Sequence, residues 1–146
     1  MNDLQQRQLI KTFLANNAMA TVSTVDTITN TPQSALVAFA ETNNLEILFE
    51  TFVETRKYQN LQANNKVSFT IGWDPNEQIT VQYEGEAQLV EKEQIEDYRK
   101  IFLAKKTPCT KKFLLNPRAR LYKVTPIWIR YSDYKDDQPI IIEIRP

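Results

Sequence analysis

The chain has 146 residues, 42% of them hydrophobic and 25% charged, which suits one soluble domain with a proper core. Its 18 basic and 18 acidic residues cancel, so it lacks the long-range field of a general nucleic-acid binder, although a local basic patch is compatible with zero net charge. There is no histidine, one cysteine (Cys109) and two glycines (Gly72 and Gly85), which excludes histidine-based catalysis, histidine or thiolate-cluster metal sites, an intrachain disulfide, a GxGxxG fingerprint and a P-loop.

Asn2 or Asp3 caps a first helix that runs to about Asn16, with Leu9, Ile10, Phe13 and Leu14 as its apolar stripe. Ala18–Val25 reads as a strand, Asp26–Gln33 as a polar connection and Ser34–Ala40 as a compact apolar strand. Thr42-Asn43-Asn44 turns the chain into Leu45–Thr51. There Leu45, Ile47 and Phe49 alternate with Glu46, Leu48 and Glu50, the period of a half-buried strand. Thr55 N-caps a helix that ends near Asn64-Asn65. Val67, Phe69 and Ile71 alternate in the next strand, and the segment from Gly72 to Asn76 is a turn in which Trp73 packs on the fold.

The longest alternation follows. Ile79, Val81, Tyr83, Gly85, Ala87 and Leu89 share one face, while Thr80, Gln82, Glu84, Glu86 and Gln88 share the other. A strand of that length bends, and Gly85 is the place for a bulge. Glu93–Lys105 reads as a helix with Ile95, Tyr98, Ile101 and Phe102 inward, broken at Thr107-Pro108. A short helical piece covers Lys111–Leu115, and Ala119–Tyr131 is a last long strand interrupted at Thr125-Pro126. The isoleucine-rich tail, Pro139–Ile144, is an edge strand or an oligomer contact. The strands cluster in hairpins instead of alternating with crossover helices. That favours a mainly β fold, an antiparallel barrel with attached helices.

Arg56 and Lys57 fall in the first turn of the helix capped by Thr55. The helix N-terminus already carries partial positive charge, so cations are misplaced there unless an anion joins them. Free backbone N–H groups, a threonine hydroxyl and two cations together grip a phosphate. A solvated helix start with two surface cations fits the residues equally well, since such misplacement costs only ~0.3–1 kcal/mol. Thr80 and Gln82 read as solvent-facing strand residues, Trp128 as a core or interface anchor, and Cys109 as an inert thiol. Arg118 and Arg120 read as a solvated strand face, or as a basic lip for a phosphorylated substrate.

The order and spacing of Thr51, Thr55-Arg56-Lys57, Asn60-Leu61, Asn64-Asn65 and Val67-Ser68-Phe69, with Trp73 and Gly85-Glu86-Ala87 beyond them, resemble the pyridoxamine 5'-phosphate oxidase-like family over roughly Leu4 to Asp133. The resemblance implies a six-stranded antiparallel split β-barrel that binds FMN at the interface of a homodimer. It implies that Arg56 and Lys57 hold the FMN phosphate with Thr55 beside them. Ala35, Leu36, Val37 and Ala38 are then the strand beside the isoalloxazine ring. Phe49, Glu50 and Thr51 form the strand end that meets it, with Thr80 and Gln82 near the ring and Trp128 approaching from the other subunit. The true oxidase has arginine in place of Ala35, glutamine in place of Thr80, and a C-terminal Arg-x-His segment that this sequence lacks. The implied function is therefore FMN binding with a flavin-dependent oxidoreductase activity on a small molecule other than pyridoxamine phosphate. A non-catalytic flavin-binding or stress-related protein, or a haem- or F420-binding relative, are the alternatives. No nucleic-acid or membrane partner is expected. No apolar run approaches the ~20 residues of a membrane span, and Met1–Lys11 lacks the apolar core of a signal peptide, so the cytoplasm is the expected location.

Overall fold

The computed structural model describes residues 1–72, 74–109 and 111–146, so the packing expected of Trp73 lies outside the described residues. Along the chain these form α1 (Asp3–Ala15), β1 (Met19–Asp26), β2 (Thr31–Glu41), β3 (Ile47–Phe52), α2 (Arg56–Ala63), β4 (Lys66–Ile71) and β5 (Ile79–Leu89). They continue as α3 (Ile95–Ala104), α4 (Lys111–Leu114), β6 (Ala119–Asp133) and β7 (Ile140–Ile144). Hydrogen-bonded order in the sheet is β3-β2-β1-β4-β5-β6, and β3 pairs with β6 to close it. The result is the expected six-stranded antiparallel barrel. The isoleucine tail becomes β7, an added strand on the edge of β6.

Asn2, rather than Asp3, caps α1 through a reciprocal box with Gln5, each side chain bonding the other's backbone N–H at 2.9 Å. Ile10, Phe13 and Leu14 then face the barrel. The connection expected over Asp26–Gln33 shrinks to four residues, because Asp26 pairs with Thr31 and Pro32 with Val25. Asp26 Oδ1 accepts the N–H of Ile28 at 2.9 Å and closes the turn, with Asn30 at φ 56°. Pro32 is tolerated in this strand because its other side has no ladder: β3 reaches only Phe39, Ala40 and Glu41 of β2.

Two apolar clusters hold the fold. One fills the barrel and includes Phe39, Phe49, Phe69, Tyr83, Tyr122 and Ile129. The other lies outside it, where Ala40, Leu48 and Leu121 meet Phe102 and Leu114 from α3 and α4. β3 is thus covered on both faces and is buried from Ile47 to Thr51, where alternation alone had implied half-burial. Leu45 precedes the strand in a left-handed turn (φ 63°), and the buried Tyr83 hydroxyl lies 3.0 Å from the carbonyls of Leu45 and Val124. α3 is shorter than expected, and Ile101 is 38% exposed instead of inward, because Ile95, Tyr98 and Phe102 already make the packed stripe. Lys105 pins the end of α3. Its ammonium donates to Leu14 O at 2.9 Å and to Glu41 Oε2 at 2.5 Å, and sits 3.6 Å from the centre of the Phe39 ring.

β6 runs unbroken through Thr125-Pro126. Its first half pairs with β3 and its last five residues pair with β7, so Pro126 falls between those partners and interrupts neither ladder. On the other side Pro126 faces Gly85, where the β5–β6 register shifts between Glu84 and Gly85. The register shift therefore falls at Gly85, where the sequence places a bulge, but the extra residue is Ile127 on β6. A Cβ on Gly85 would lie 2.6 Å from both Thr125 O and Val124 Cγ1. Gly85→Ala is expected to destabilise the protein by about 1–3 kcal/mol, through overpacking at a site whose nearest neighbour is backbone. Denaturant unfolding measures it, and an unchanged midpoint would show that the bulge has room to open.

Candidate functional site

The β2–β3 ladder ends at Phe39–Phe49. Beyond that pair β2 bonds only β1, while β3 bonds β6 as far as Phe52–Ala119. The two strands separate, and a cavity of about 270 Å³ opens between them. Leu36, Val37 and Ala38 line it from β2; Glu50, Thr51 and Phe52 line it from β3. Thr55 and Lys57 close one end, and Pro108, Cys109 and Phe113 cover it from the connection between α3 and β6. A second cavity of about 190 Å³ adjoins it, lined by Val22, Thr24, Gln33, Ser34, Ala35 and Arg56 and sharing Thr55 and Lys57 with the first.

The start of α2 joins the two. Thr55 is the N-cap and accepts the N–H of Tyr58 at 3.3 Å. Its own hydroxyl donates to Phe52 O at 2.9 Å. The 2.6 Å contact between Thr51 and Thr55 Oγ1 therefore uses the Thr51 proton, which fixes the strand end against the helix start. Further along α2, the buried Asn60 amide donates to Thr24 Oγ1 at 2.9 Å and to Gln33 Oε1 at 3.0 Å, tying the helix to β1 and β2. Among the described residues no group accepts the backbone N–H of Arg56 or Lys57, neither side chain is in an ion pair, and the first turn holds no acid. Burial holds the Lys57 ammonium below the usual lysine range.

Glu50 is 7% exposed. Burial pushes its carboxyl up to about 7, against smaller opposing pulls from a Cys109 hydrogen bond and the Arg99 charge. Cys109 Sγ lies 3.7 Å from Glu50 Oε2, and burial with that neighbouring acid pushes the thiol up to about 12. The thiol is therefore protonated and unreactive at neutral pH, as its sequence context suggests. Arg118 pairs with Glu54, and Arg120 donates to Pro117 O and Ala119 O, so the two arginines are already engaged.

Among the expected site residues, the chain brings together Leu36, Val37, Ala38, Glu50, Thr51, Thr55 and Lys57 at the first cavity, and Ala35 and Arg56 at the second. Phe49 turns its ring into the barrel, stacked on Tyr122 with centroids 5.4 Å apart. Thr80, Gln82 and Trp128 border neither cavity: they stand on β5 and β6 opposite Ser132, Arg130 and Glu84. The sequence reading missed Phe52, Pro108, Cys109 and Phe113. The Phe52 and Phe113 rings meet at 4.4 Å, a contact between segments with no shared sequence pattern. No group of three potential metal ligands occurs among the described residues, and no helix is long and apolar enough to cross a membrane.

The family model for pyridoxamine 5'-phosphate oxidase matches residues 7–133. The chain belongs to that family. At the level of sequence no curated protein matches it. Similar solved structures include a haem-binding protein from Mycobacterium smegmatis (TM-score 0.80, 15% identity, covering 96% of this chain and 57% of that one). They include General Stress Protein 26 from Bacillus anthracis (TM-score 0.68, 20% identity, 94% and 98% covered) and an F420 reductase (TM-score 0.65, 21% identity, 82% and 94% covered). The chain spans little more than half of the mycobacterial protein. At these identities the likeness is one of fold.

Glu50 gives the cavity a pH signature. Its proton is held more tightly in the folded state than at its ordinary value of 4.5, so its stabilising effect is full below 4.5 and is lost as pH rises to about 7. Ligand-free protein is expected to lose up to about 3 kcal/mol of stability across that window from this group, and Glu50→Gln to remove that part of the slope. Urea melts at a series of pH values measure it. An identical slope in the variant would refute it.

Proposed function

We propose that the protein binds FMN in the two adjoining cavities, as a homodimer, and acts as a flavin-dependent oxidoreductase on a small molecule. The observation that carries this reading is the start of α2: two cations without counter-ions and two backbone N–H groups without acceptors among the described residues, and an apolar slot directly beside them. A phosphate in the second cavity restores the charge balance that burial denies Lys57. Leu36, Val37, Phe52 and Phe113 supply the apolar wall that a planar ring needs and exclude water from it. The unpaired edges of β2 and β3 beside the slot offer backbone groups to the ring's polar rim. FMN, when bound, supplies the electron and hydride chemistry, and the protein's part is orientation, electrostatics and exclusion of water.

Haem fits these residues less well. The chain has no histidine, and Cys109 holds its proton to about 12, which makes it a poor thiolate ligand. The second cavity is compact and bounded by Gln33 and Ser34, which suits a single phosphate better than the longer tail of F420. Ala35 and Thr80 argue against pyridoxamine phosphate as substrate. The dimer is supported by what one chain leaves undone. Leu36 is 59% exposed at the rim of the slot, and Thr80, Gln82 and Trp128 cannot reach it from their own chain. A second copy related by two-fold symmetry would cover Leu36 and bring those residues near.

Arg56→Ala combined with Lys57→Ala removes two charge-assisted hydrogen bonds of ~1.5–3 kcal/mol each and is expected to weaken FMN at least tenfold. Quenching of flavin fluorescence measures the affinity, and an unchanged affinity would remove the site assignment. Sedimentation of the FMN-loaded protein is expected to give twice the 17.0 kDa chain mass. A monomer that still holds FMN tightly would end the shared-site reading. Turnover of a reduced nicotinamide with an added acceptor separates an oxidoreductase from a flavin store.

A further inference from the structure

Glu50 is the one acid among the described residues that line the slot. It is almost fully buried, and its carboxyl is set by three elements at once. The strap between α3 and β6 brings the Cys109 thiol to 3.7 Å, α3 brings the Arg99 charge, and α2 places Lys57 on the same cavity. β2 adds Ala38, which lines the cavity, and β6 adds Leu121, paired to Glu50; Lys123, two positions further along β6, is engaged by Glu46 and Tyr98. Arg99 donates to Glu96 at 2.9 Å and to Leu114 O at 3.1 Å, while its buried Nε has no partner among the described residues. A charge on this wall is poorly screened by water and acts strongly on whatever fills the slot.

We propose, resting on the FMN reading above, that Glu50 sets the redox balance of the slot: holding its proton it leaves the wall neutral, and losing it places a negative charge there that opposes reduction of the ring. Reduction by a nicotinamide moves a hydride, and thus two electrons, from donor to ring. The donor leaves oxidised, and the ring carries one added negative charge until a proton follows. A carboxylate on the wall repels that charge; a carboxylic acid does not. Because burial carries the Glu50 carboxyl to about 7, the wall passes from neutral to negative close to neutral pH. Cys109 tunes the crossover, since its hydrogen bond favours the ionised form. The residue at this strand end thereby acts on the reaction through charge alone.

The test uses FMN-loaded wild type, Glu50→Gln and Cys109→Ala, titrated with dithionite against a reference dye at about pH 6 and about pH 8.5. Infrared spectra of the FMN-free proteins follow the Glu50 carboxyl band over the same range. Glu50→Gln is expected to favour reduction at least tenfold over wild type at the higher pH, about 30 mV for a two-electron couple, and less than twofold at the lower. The protonated-carboxyl band is expected to vanish between the two pH values in wild type and to be missing in the variant. Cys109→Ala is expected to move the wild-type crossover to higher pH, a shift that a purely structural Glu50 would not show. An offset that is absent, or equal at both pH values, overturns the role of Glu50 while leaving FMN binding intact. Failure of the wild type to retain FMN overturns the FMN reading, and this inference with it.

Discussion

The early end of the β2–β3 ladder is the constraint on which the site depends. Had the register continued past Phe39–Phe49, Ala38 would bond beside Glu50 and Val37 beside Thr51, and the slot would be zipped shut. The strands can part because each has another partner. β2 keeps β1 down to Thr31, and β3 keeps β6 out to Phe52. Each strand therefore satisfies one edge and leaves the other free, a cost that is bearable only where water or a ligand meets those groups. The separation is held open from both ends. The hydroxyl chain from Thr51 through Thr55 to the Phe52 carbonyl turns β3 sharply into α2, and Asn60 ties α2 to Thr24 and Gln33 on the far strands. Closing the gap would break both sets of bonds.

How much of this was legible in the sequence follows from the range of each interaction. Thr55 as N-cap and Asn2 as the head of a capping box are decided within three residues, and local chemistry places them well. The bulge at Gly85 was readable because a residue without a side chain interrupts an otherwise strict alternation. The burial of β3 on both faces was not, since Leu48 clusters with Phe102 of α3 and Leu114 of α4 and Glu50 meets Cys109 in the connection between those helices, all more than fifty positions away. Ile101 failed for the opposite reason: a helix of ten residues offers several apolar stripes, and only the neighbouring surface chooses among them. At the site, Arg56 and Lys57 stood out because they contradict the helix dipole, which is a local signal. The strap residues Pro108, Cys109 and Phe113 carry no such contradiction. Their role comes from where α3 delivers them, and α3 is aimed by Lys105, whose contacts reach α1 and β2.

Burial acts on two opposite charges in this one cavity, and it acts in the same sense on both. It pulls the Lys57 ammonium down and pushes the Glu50 carboxyl up, so each group is moved toward its neutral form. They do not pair with one another: Glu50 takes the Cys109 thiol as its hydrogen-bond partner, and Lys57 pairs with no acid among the described residues. A salt bridge between them would have been the cheaper arrangement for an empty cavity, since each charge would have met the other's desolvation cost. Keeping them apart leaves a cation at one end and a titrating acid along the wall. That polarity is what an elongated ligand with an anionic end and an uncharged planar body complements. Folding thus leaves a half-buried cation and a buried acid on one cavity without pairing them with each other.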